Sequence, residues 1–346
     1  MLVIDGSFGE GGGQIFRTAL SLSLLTGRPF RIRKIRANRS NPGLAAQHLA
    51  CARLARDISL ADVEGDALGS REIEFRPRPV RSGRYRCVIP TAGSAALVLQ
   101  TVLVPLSLAG GTTDLDLEGG THVPWSPCFH YLERVFLPIL SAAGYDCRAE
   151  LVRPGYFPKG GGVLRCRISP VVAPASLELS ERGPLRAVEA IAAVSALPVS
   201  VAKRMLAEME KLLAAGGCTL TSSRVLDLGG AFPGAFAGLV ANFENGRAGA
   251  FALGAKGKSA EEVGREAVSI ILSFLCSSAS VDAHLADQLV LPLAALNVPA
   301  RWTTPEVTLH LYTNVTIVNT FLPARVRLIG ELGAPGSVAI LPSRSH

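Results

Sequence analysis

Residues 305–320 read PEVTLHLYTNVTIVNT. Apolar side chains fall at alternate positions here: Val307, Leu309, Leu311, Val315 and Ile317. Thr308, His310, Tyr312, Asn314 and Thr316 fall between them. A period of two in β-branched and apolar residues predicts a half-buried β-strand. His310 then stands on the polar face, with Thr308 and Tyr312 on either side. It is either a surface histidine on a sheet or an imidazole held on a rigid element where it can react.

The composition around this stretch is that of a folded chain. Of 346 residues, 48% are hydrophobic and 18% charged, with 35 Gly and 22 Pro dispersed along the sequence. Such a chain can bury a large core, in one large domain or two, and does not match a disordered one. The net charge is +7, which favours polyanionic partners such as nucleotides or nucleic acid. Seven scattered cysteines include no CxxC pair, so free thiols in a reducing, cytoplasmic setting are expected. The N-terminal MLVIDGSFGEGGG lacks a basic region followed by an apolar run and does not read as a signal peptide. The most apolar stretch, Ala95 to Ala109, is shorter than the ~20 residues a membrane span needs, and it reads as a buried helix.

In chain order, DGSFGEGGG (5–13) is a glycine-rich loop leading into a helix at Gln14 to Leu25. Its form fits either a tight turn or an anion cradle at a helix N-terminus. Glu10 is out of place beside a phosphate unless it holds a divalent cation. A basic stretch, Phe30 to Arg39, and further arginines between 71 and 86 are either solvated edges or a polyanion track. TAGS (91–94) caps the apolar helix, which contains the polar Gln100. Cys128 and His130 follow in a loop without ligand spacing and make a poor zinc signal. VLVPLSLAGG (102–111), VFLPILSAAG (135–144) and LVLPLAALNV (289–298) form a weak internal repeat, which points to three like helix-on-sheet units. From about 177 to 257 arginines thin out, and a small inserted domain is expected. The helix that follows begins with SAEE, a capping box, and is assigned to the main body.

Seven segments taken in order resemble the RNA 3′-terminal phosphate cyclase family. They are EGGGQIFRTALSLS (10–23), RANRSNPGLAAQHL (36–49), TAGSAALVLQ (91–100), GGTHVPWSP (119–127), PGYFPKGGGVL (154–164), HLADQLVLP (284–292) and HLYTN (310–314). The resemblance implies an α+β fold of three repeated βαβαββ units, similar to the enolpyruvate transferases. These units would form a large domain, 1–180 with 258–346, carrying a small α/β insert at 181–257. It implies ATP-dependent conversion of an RNA 3′-phosphate to a 2′,3′-cyclic phosphodiester through a covalent histidine–AMP. The nucleophile falls on His310. The ATP contacts fall on Gln100, Pro127 and the run His284, Leu285, Ala286, Asp287 and Gln288. Glu10 matches a carboxylate for a divalent metal, Mg²⁺ or Mn²⁺. Arg17, Arg39, Gln47 and His48 match the phosphate and RNA surface. The implied partners are ATP and RNA with a 3′-terminal phosphate, with no membrane and with a homodimer allowed. His284, Pro154, His122 and Pro124 depart from the family pattern. Two other readings are a cyclase-like RNA-binding protein in ribosome assembly, which would have lost the histidine, and an enolpyruvyl-type transferase, for which no motif is seen.

Overall fold

Three copies of one supersecondary unit account for most of the chain in the computed structural model, which describes residues 1–343. The first copy runs β1 (Leu2–Asp5), α1 (Gly13–Thr26), β2 (Phe30–Arg33), α2 (Ala46–Ser59), β3 (Asp62–Glu64) and β4 (Ile73–Arg76). The second runs β5 (Arg84–Val88), α3 (Ala95–Ser107), β6 (Thr113–Gly119), a composite helix, β7 (Asp146–Arg153) and β8 (Gly162–Ser169). That composite helix is α4 (Phe129–Tyr131), a π turn (Leu132–Phe136) and α5 (Leu137–Ala142). The third opens with β9 (Leu177–Leu179). It is then interrupted by β10 (Leu185–Ser195), α6 (Val199–Ala215), β11 (Ser222–Asp227), β12 (Gly234–Phe243), β13 (Arg247–Leu253) and α7 (Ala260–Leu275). It resumes as α8 (Ala283–Gln288), α9 (Val290–Leu296), β14 (Ala300–Thr304), α10 (Leu309–Phe321), β15 (Val326–Ile329) and β16 (Gly336–Ile340).

Each copy orders its sheet alike: β1-β2-β4-β3, β5-β6-β8-β7 and β9-β14-β16-β15. The first two strands of each are parallel, and the remaining neighbours are antiparallel. The parallel pair requires a crossover, which the first helix or helices of the unit supply. The α+β class and the three βαβαββ units are as expected. The three similar Pro-containing segments are not one per unit, however. They lie in α3, α5 and α9, so two belong to the second copy and one to the third.

The strand expected at 305–320 is a helix. Thr308 is the N-cap of α10, and its hydroxyl accepts from the Leu311 N–H at 3.0 Å. Leu311, Asn314, Val315, Val318 and Phe321 are buried at helical spacing, while Leu309 and Tyr312 remain exposed. The alternation from 307 to 317 fits both periods over a short window. The cap and the apolar surface of α1 decide for the helix. Propensity of β-branched residues yields to tertiary packing in this case.

α1 is the hub of the large core. It packs against α2, α3, α9 and α10, and Ile15, Phe16, Ala19, Leu20 and Leu22 are all but inaccessible. A helix apolar on nearly every side belongs in such a place. The interrupting strands make a fourth sheet, β11-β10-β12-β13, with α6 and α7 on one face. Its core is rich in alanine (Ala190, Ala192, Ala237, Ala241, Ala250), over which Met205, Met209, Val263 and Ile271 pack. The opposite face presents Ile191, Phe236 and Phe251. The capping box expected at Ser259 is present, with Glu262 closing it. The helix it starts lies on this small sheet rather than on the large core.

One buried carboxylate fastens the small sheet to the rest. Asp282 accepts from the Tyr131 hydroxyl at 3.0 and 3.1 Å, from the Gly249 N–H of β13 at 3.0 Å, and from the His284 and Leu285 N–H groups at 3.0 and 2.9 Å. It therefore caps α8 while joining α4 to β13. Asp282→Ala strands these donors. Urea unfolding should show a loss of ~2–4 kcal/mol, several times that of an exposed aspartate substitution.

Candidate active site

The N-terminal ends of α1 and α10 meet, and His310 stands in the first turn of α10. Its Nδ1 lies 2.8 Å from Gln14 Oε1. An amide oxygen only accepts, so Nδ1 carries the proton and Nε2 keeps its lone pair. The Gln14 side chain also bears on the Asp287 carboxyl, whose pKa it lowers. Nε2 faces Glu10, 3.7 Å from Oε1. The imidazole pKa is lowered, first by burial and then by Arg17, Arg39 and His284, with Glu10 opposing. The positive end of α10 works in the same direction. At neutral pH the ring is uncharged and its Nε2 lone pair is available.

Glu10 lies in the glycine loop, with its side chain almost enclosed. Arg39 takes its Oε1, and its buried Oε2 has no partner among the described residues. The Glu10 N–H donates to Thr313 Oγ1 at 3.2 Å. Gly9, at φ +54, turns the chain so closely over Thr313 that a Cβ would strike its hydroxyl. Much of this loop is thus committed to packing. Its Gly6, Phe8 and Gly11 amides bond within the chain. α1, however, starts without a side-chain cap, which leaves its first-turn N–H groups free for an anion.

Arg17 is half-buried one turn into α1. Its pKa is lowered by burial, against Cys51, Glu10 and Asp287. Asp287 is pushed up to about 7, mainly by burial and further by Asp282 and Glu10, while Arg17 and Gln14 oppose. Asn314 fixes the frame. Its Oδ1 accepts from Thr18 Oγ1 at 2.8 Å, and its Nδ2 donates to the Asp287 carbonyl at 2.8 Å. Gln100 Nε2 donates to Gln288 Oε1 at 2.7 Å, which joins α3 to α8.

The sequence-derived residues divide accordingly. His310, Glu10, Arg17, Arg39 and Asp287 form one group, with Gln100 and Gln288 paired beside Asp287. His48 is buried, its Nδ1 lacks a partner, and its pKa is well below the ordinary value through burial and through Arg17, Arg36 and Arg39. Gln47 accepts from the Ser94 N–H at 2.7 Å and so holds the start of α3. In the run 284–288, His284 is exposed, whereas Leu285 and Ala286 are core residues with no accessible surface. Only their backbone could meet a ligand. Pro127 is half-buried in the loop before α4, whose Tyr131 reaches the Asp282 cap of α8.

Most of the expected arginine track is absorbed by pairing. Arg31 and Arg76 bind Glu74, Arg33 binds Glu72, Arg78 binds Asp62, Arg84 binds Asp114 and Arg86 binds Glu118. Arg31, Arg84 and Arg86 pair across to the neighbouring strand, and Arg76 pairs along its own, which favours the solvated-edge alternative. Arg36 stitches its own loop through the Asn41 and Gly43 carbonyls at 2.9 and 2.8 Å. Sequence reasoning missed Gln14, Thr18, Thr313 and Asn314. A signal existed in Gln14, Arg17 and Thr18, which put a polar stripe at i, i+3 and i+4 on an otherwise apolar helix.

Behind the Pro127 loop lies a buried aromatic stack. His122 sits between Tyr156 and Phe236, with ring centroids 5.2 and 4.8 Å away, and its Nε2 is 2.9 Å from His130 Nδ1. Neither histidine has metal-ligand company. Among the described residues no group of three or more His, Cys, Asp or Glu side chains could hold a metal. All seven cysteines are free, and no described helix is long and apolar enough to cross a membrane.

An uncharged histidine beside arginines and carboxylates, at a helix N-terminus, is an arrangement that suits nucleotidyl or phosphoryl transfer. The comparisons agree. The profile of a family described as RNA 3′-terminal phosphate cyclase matches residues 8–328. A protein of that name from Gloeothece citriformis is 42% identical over 335 residues, 95% of each chain. One from Archaeoglobus fulgidus is 44% identical over 96% of this chain and 98% of its own. One from Methylococcus capsulatus is 44% identical over 94% and 92%. The chain belongs to the RNA 3′-terminal phosphate cyclase family. A solved enolpyruvyl transferase, NikO from Streptomyces tendae, covers 49% of this chain and 33% of its own at 17% identity and a TM-score of 0.29, a likeness too slight to carry an argument.

Two outcomes follow from the geometry. Gln14→Leu removes the acceptor that fixes the His310 tautomer. Reaction of the His310 imidazole with an electrophile such as diethyl pyrocarbonate should fall on the order of 10-fold or more, with the fold, read by circular dichroism, little changed. Burial also lowers His130 from 6.5 to about 4, so the unfolded chain binds the extra proton between those values. Its contribution to stability is intact above pH 6.5 and is lost as the pH falls to about 4. Thermal unfolding against pH should show this slope, and His130→Phe should flatten it.

Proposed function

We propose that this chain converts an RNA 3′-terminal phosphate into a 2′,3′-cyclic phosphodiester at the expense of ATP, with His310 as nucleophile. The observation that carries this reading is the His310–Gln14 hydrogen bond. It leaves an unprotonated Nε2 facing Glu10, with Arg17 and Arg39 acting on the same ring. Family membership supplies the substrates, ATP and RNA.

In the first step Nε2 attacks the α-phosphorus, the bond to the bridging β-oxygen breaks, and pyrophosphate leaves. The product is a phosphoramidate, histidine–AMP, with the Nδ1 proton still held on Gln14. Arg17 and Arg39 offset the charge that gathers on the leaving pyrophosphate. Next, an oxygen of the RNA 3′-phosphate attacks the AMP phosphorus and the imidazole leaves, giving RNA(3′)pp(5′)A. Last, the neighbouring 2′-hydroxyl attacks the 3′-phosphorus, AMP departs, and the hydroxyl proton passes to a base or water. Little is asked of the protein in that step, because nucleophile and phosphorus already share one sugar.

The residues fit a divalent cation. Glu10 keeps one buried carboxylate oxygen without a partner, and a cation of the Mg²⁺ type binds through one or two carboxylates plus substrate phosphates. It would supply charge neutralisation at the triphosphate. Gln100, Gln288 and the exposed His284 would line the nucleotide, with Pro127 opposite. The division into a large unit, 1–180 with 258–346, and an insert, 181–257, is also proposed. The separate core of the fourth sheet supports it, and the seat of α7 argues for carrying the insert on to residue 276.

Incubation with α-labelled ATP and Mg²⁺ should place acid-labile label on the protein, and His310→Ala should take none. RNA ending in a 2′-deoxy sugar with a 3′-phosphate should stop at the adenylated stage. Absence of label, or equal label on His310→Ala, refutes the nucleophile.

A further inference from the structure

Two neighbouring loops, one of them carrying Pro127, hold aromatic rings in water. Trp125 is 98% exposed in the loop 120–128, and Phe157 is 69% exposed in the loop 154–161. A ring at that exposure packs on nothing and adds no core. Trp125 also stands at φ +64, a conformation bulky L-residues rarely take. The fold gains no packing from rings so exposed, which leaves both free to stack on a ligand.

The loops are held rigidly side by side. The Thr121 and His122 N–H groups both donate to the Gly155 carbonyl, at 2.8 and 3.0 Å. The Gly155 N–H returns to Thr121 Oγ1 at 2.9 Å. His122 and Tyr156 pair as a β-bridge, and their stacked rings are buried beneath. Gly155 is needed for this approach, since a Cβ there would lie 2.6 Å from the Gly119 carbonyl oxygen and 2.3 Å from the Gly162 nitrogen. The stack below and the rings above are thus the two sides of one pre-organised rim. Lys159 is exposed on the same rim and makes no ion pair among the described residues. Pro127, two residues after Trp125, belongs to the proposed nucleotide site.

We propose that Trp125 and Phe157 form a stacking platform for unpaired bases of the RNA strand leading to the 3′-phosphate, with Lys159 as a backbone contact. This rests on the reading under Proposed function. Aromatic faces interleaved with a free cation are what single-stranded nucleic acid uses, and stacking accepts any base. The net charge of +7 favours the same partner. A platform of this kind binds by strand character rather than by sequence.

The test uses the intact protein without ATP, so that no turnover occurs. Trp302 is fully buried, and with two Trp in the chain the accessible emission reports Trp125. A short single-stranded RNA 3′-phosphate should quench it, and the duplex with a blunt end should not. By anisotropy of a 5′-labelled oligonucleotide, Trp125→Ala should weaken RNA binding roughly 10-fold, and Trp125→Phe should restore most of it. An abasic nucleotide near the 3′ end of the oligonucleotide should weaken wild type and leave Trp125→Ala unaffected. Unchanged RNA affinity of Trp125→Ala overturns the platform. So does quenching by ATP alone with none by RNA, which would give the ring to adenine. Labelling of Trp125→Ala by α-labelled ATP is measured in parallel. Label on His310 with unchanged RNA affinity sinks only the platform, whereas loss of label from the wild type sinks the nucleophile.

Discussion

One buried amide, that of Asn314, sets the geometry on which the site depends. It ties Thr18 of the first repeat to the Asp287 carbonyl of the third, and it does so from the same turn of α10 that follows His310. Both of its polar ends are used in a buried place, where an unmatched donor or acceptor would cost about 1–3 kcal/mol. The constraint is therefore directional as well as energetic. α1, α8 and α10 can approach in one register only. In that register Gln14 reaches His310, and Glu10 passes over Thr313.

From this follows a division of labour between the repeats. The three βαβαββ copies share strand order but contribute unlike parts. The first brings the glycine loop, Glu10, Gln14, Arg17 and Arg39, and the third brings His310 and α8. The second supplies Gln100 and the two aromatic-bearing loops. The absence of symmetry in the site, despite symmetry in the fold, explains why a repeat count could not locate it. Function resides in the few positions at which the copies differ.

Much of the fold was legible in the sequence: the glycine loop before a helix, the TAGS cap and the SAEE capping box. The repeat number was right although the segments behind it were not one per unit, since apolar Pro-containing helices arise wherever a buried helix meets a turn. The stretch 305–320 was misread because β-branched residues at alternate positions fit two periods over so short a window. Only the packing of α1 breaks the tie. His310, Glu10, Arg17 and Arg39 could be picked out as chemistry-bearing residues. The links between them could not, because Gln14, Thr18 and Asn314 look like ordinary polar residues until helices nearly 300 positions apart in sequence are brought together, as the separation of 296 between Gln14 and His310 illustrates. The arginines taught the opposite lesson. Their sequence density suggested a track for polyanions, yet Arg31, Arg84 and Arg86 each have a carboxylate opposite that only register reveals.

The small sheet is connected to this arrangement by Asp282, and that connection has a consequence for chemistry. Asp282 spends its carboxylate on a tyrosine, on a β13 amide and on the His284 and Leu285 amides of α8. α8 carries Asp287, which burial first, and then Asp282 and Glu10, push up to about 7 against Arg17 and Gln14. The same residue therefore sets the position of the fourth sheet, the start of α8, and the ease with which Asp287 holds a proton. Gln14 opposes that rise in Asp287, and its amide oxygen accepts from Nδ1 of His310 at 2.8 Å. One side chain thus stands between the carboxyl of α8 and the imidazole of α10, and it acts on both by electrostatics rather than by distortion of the fold.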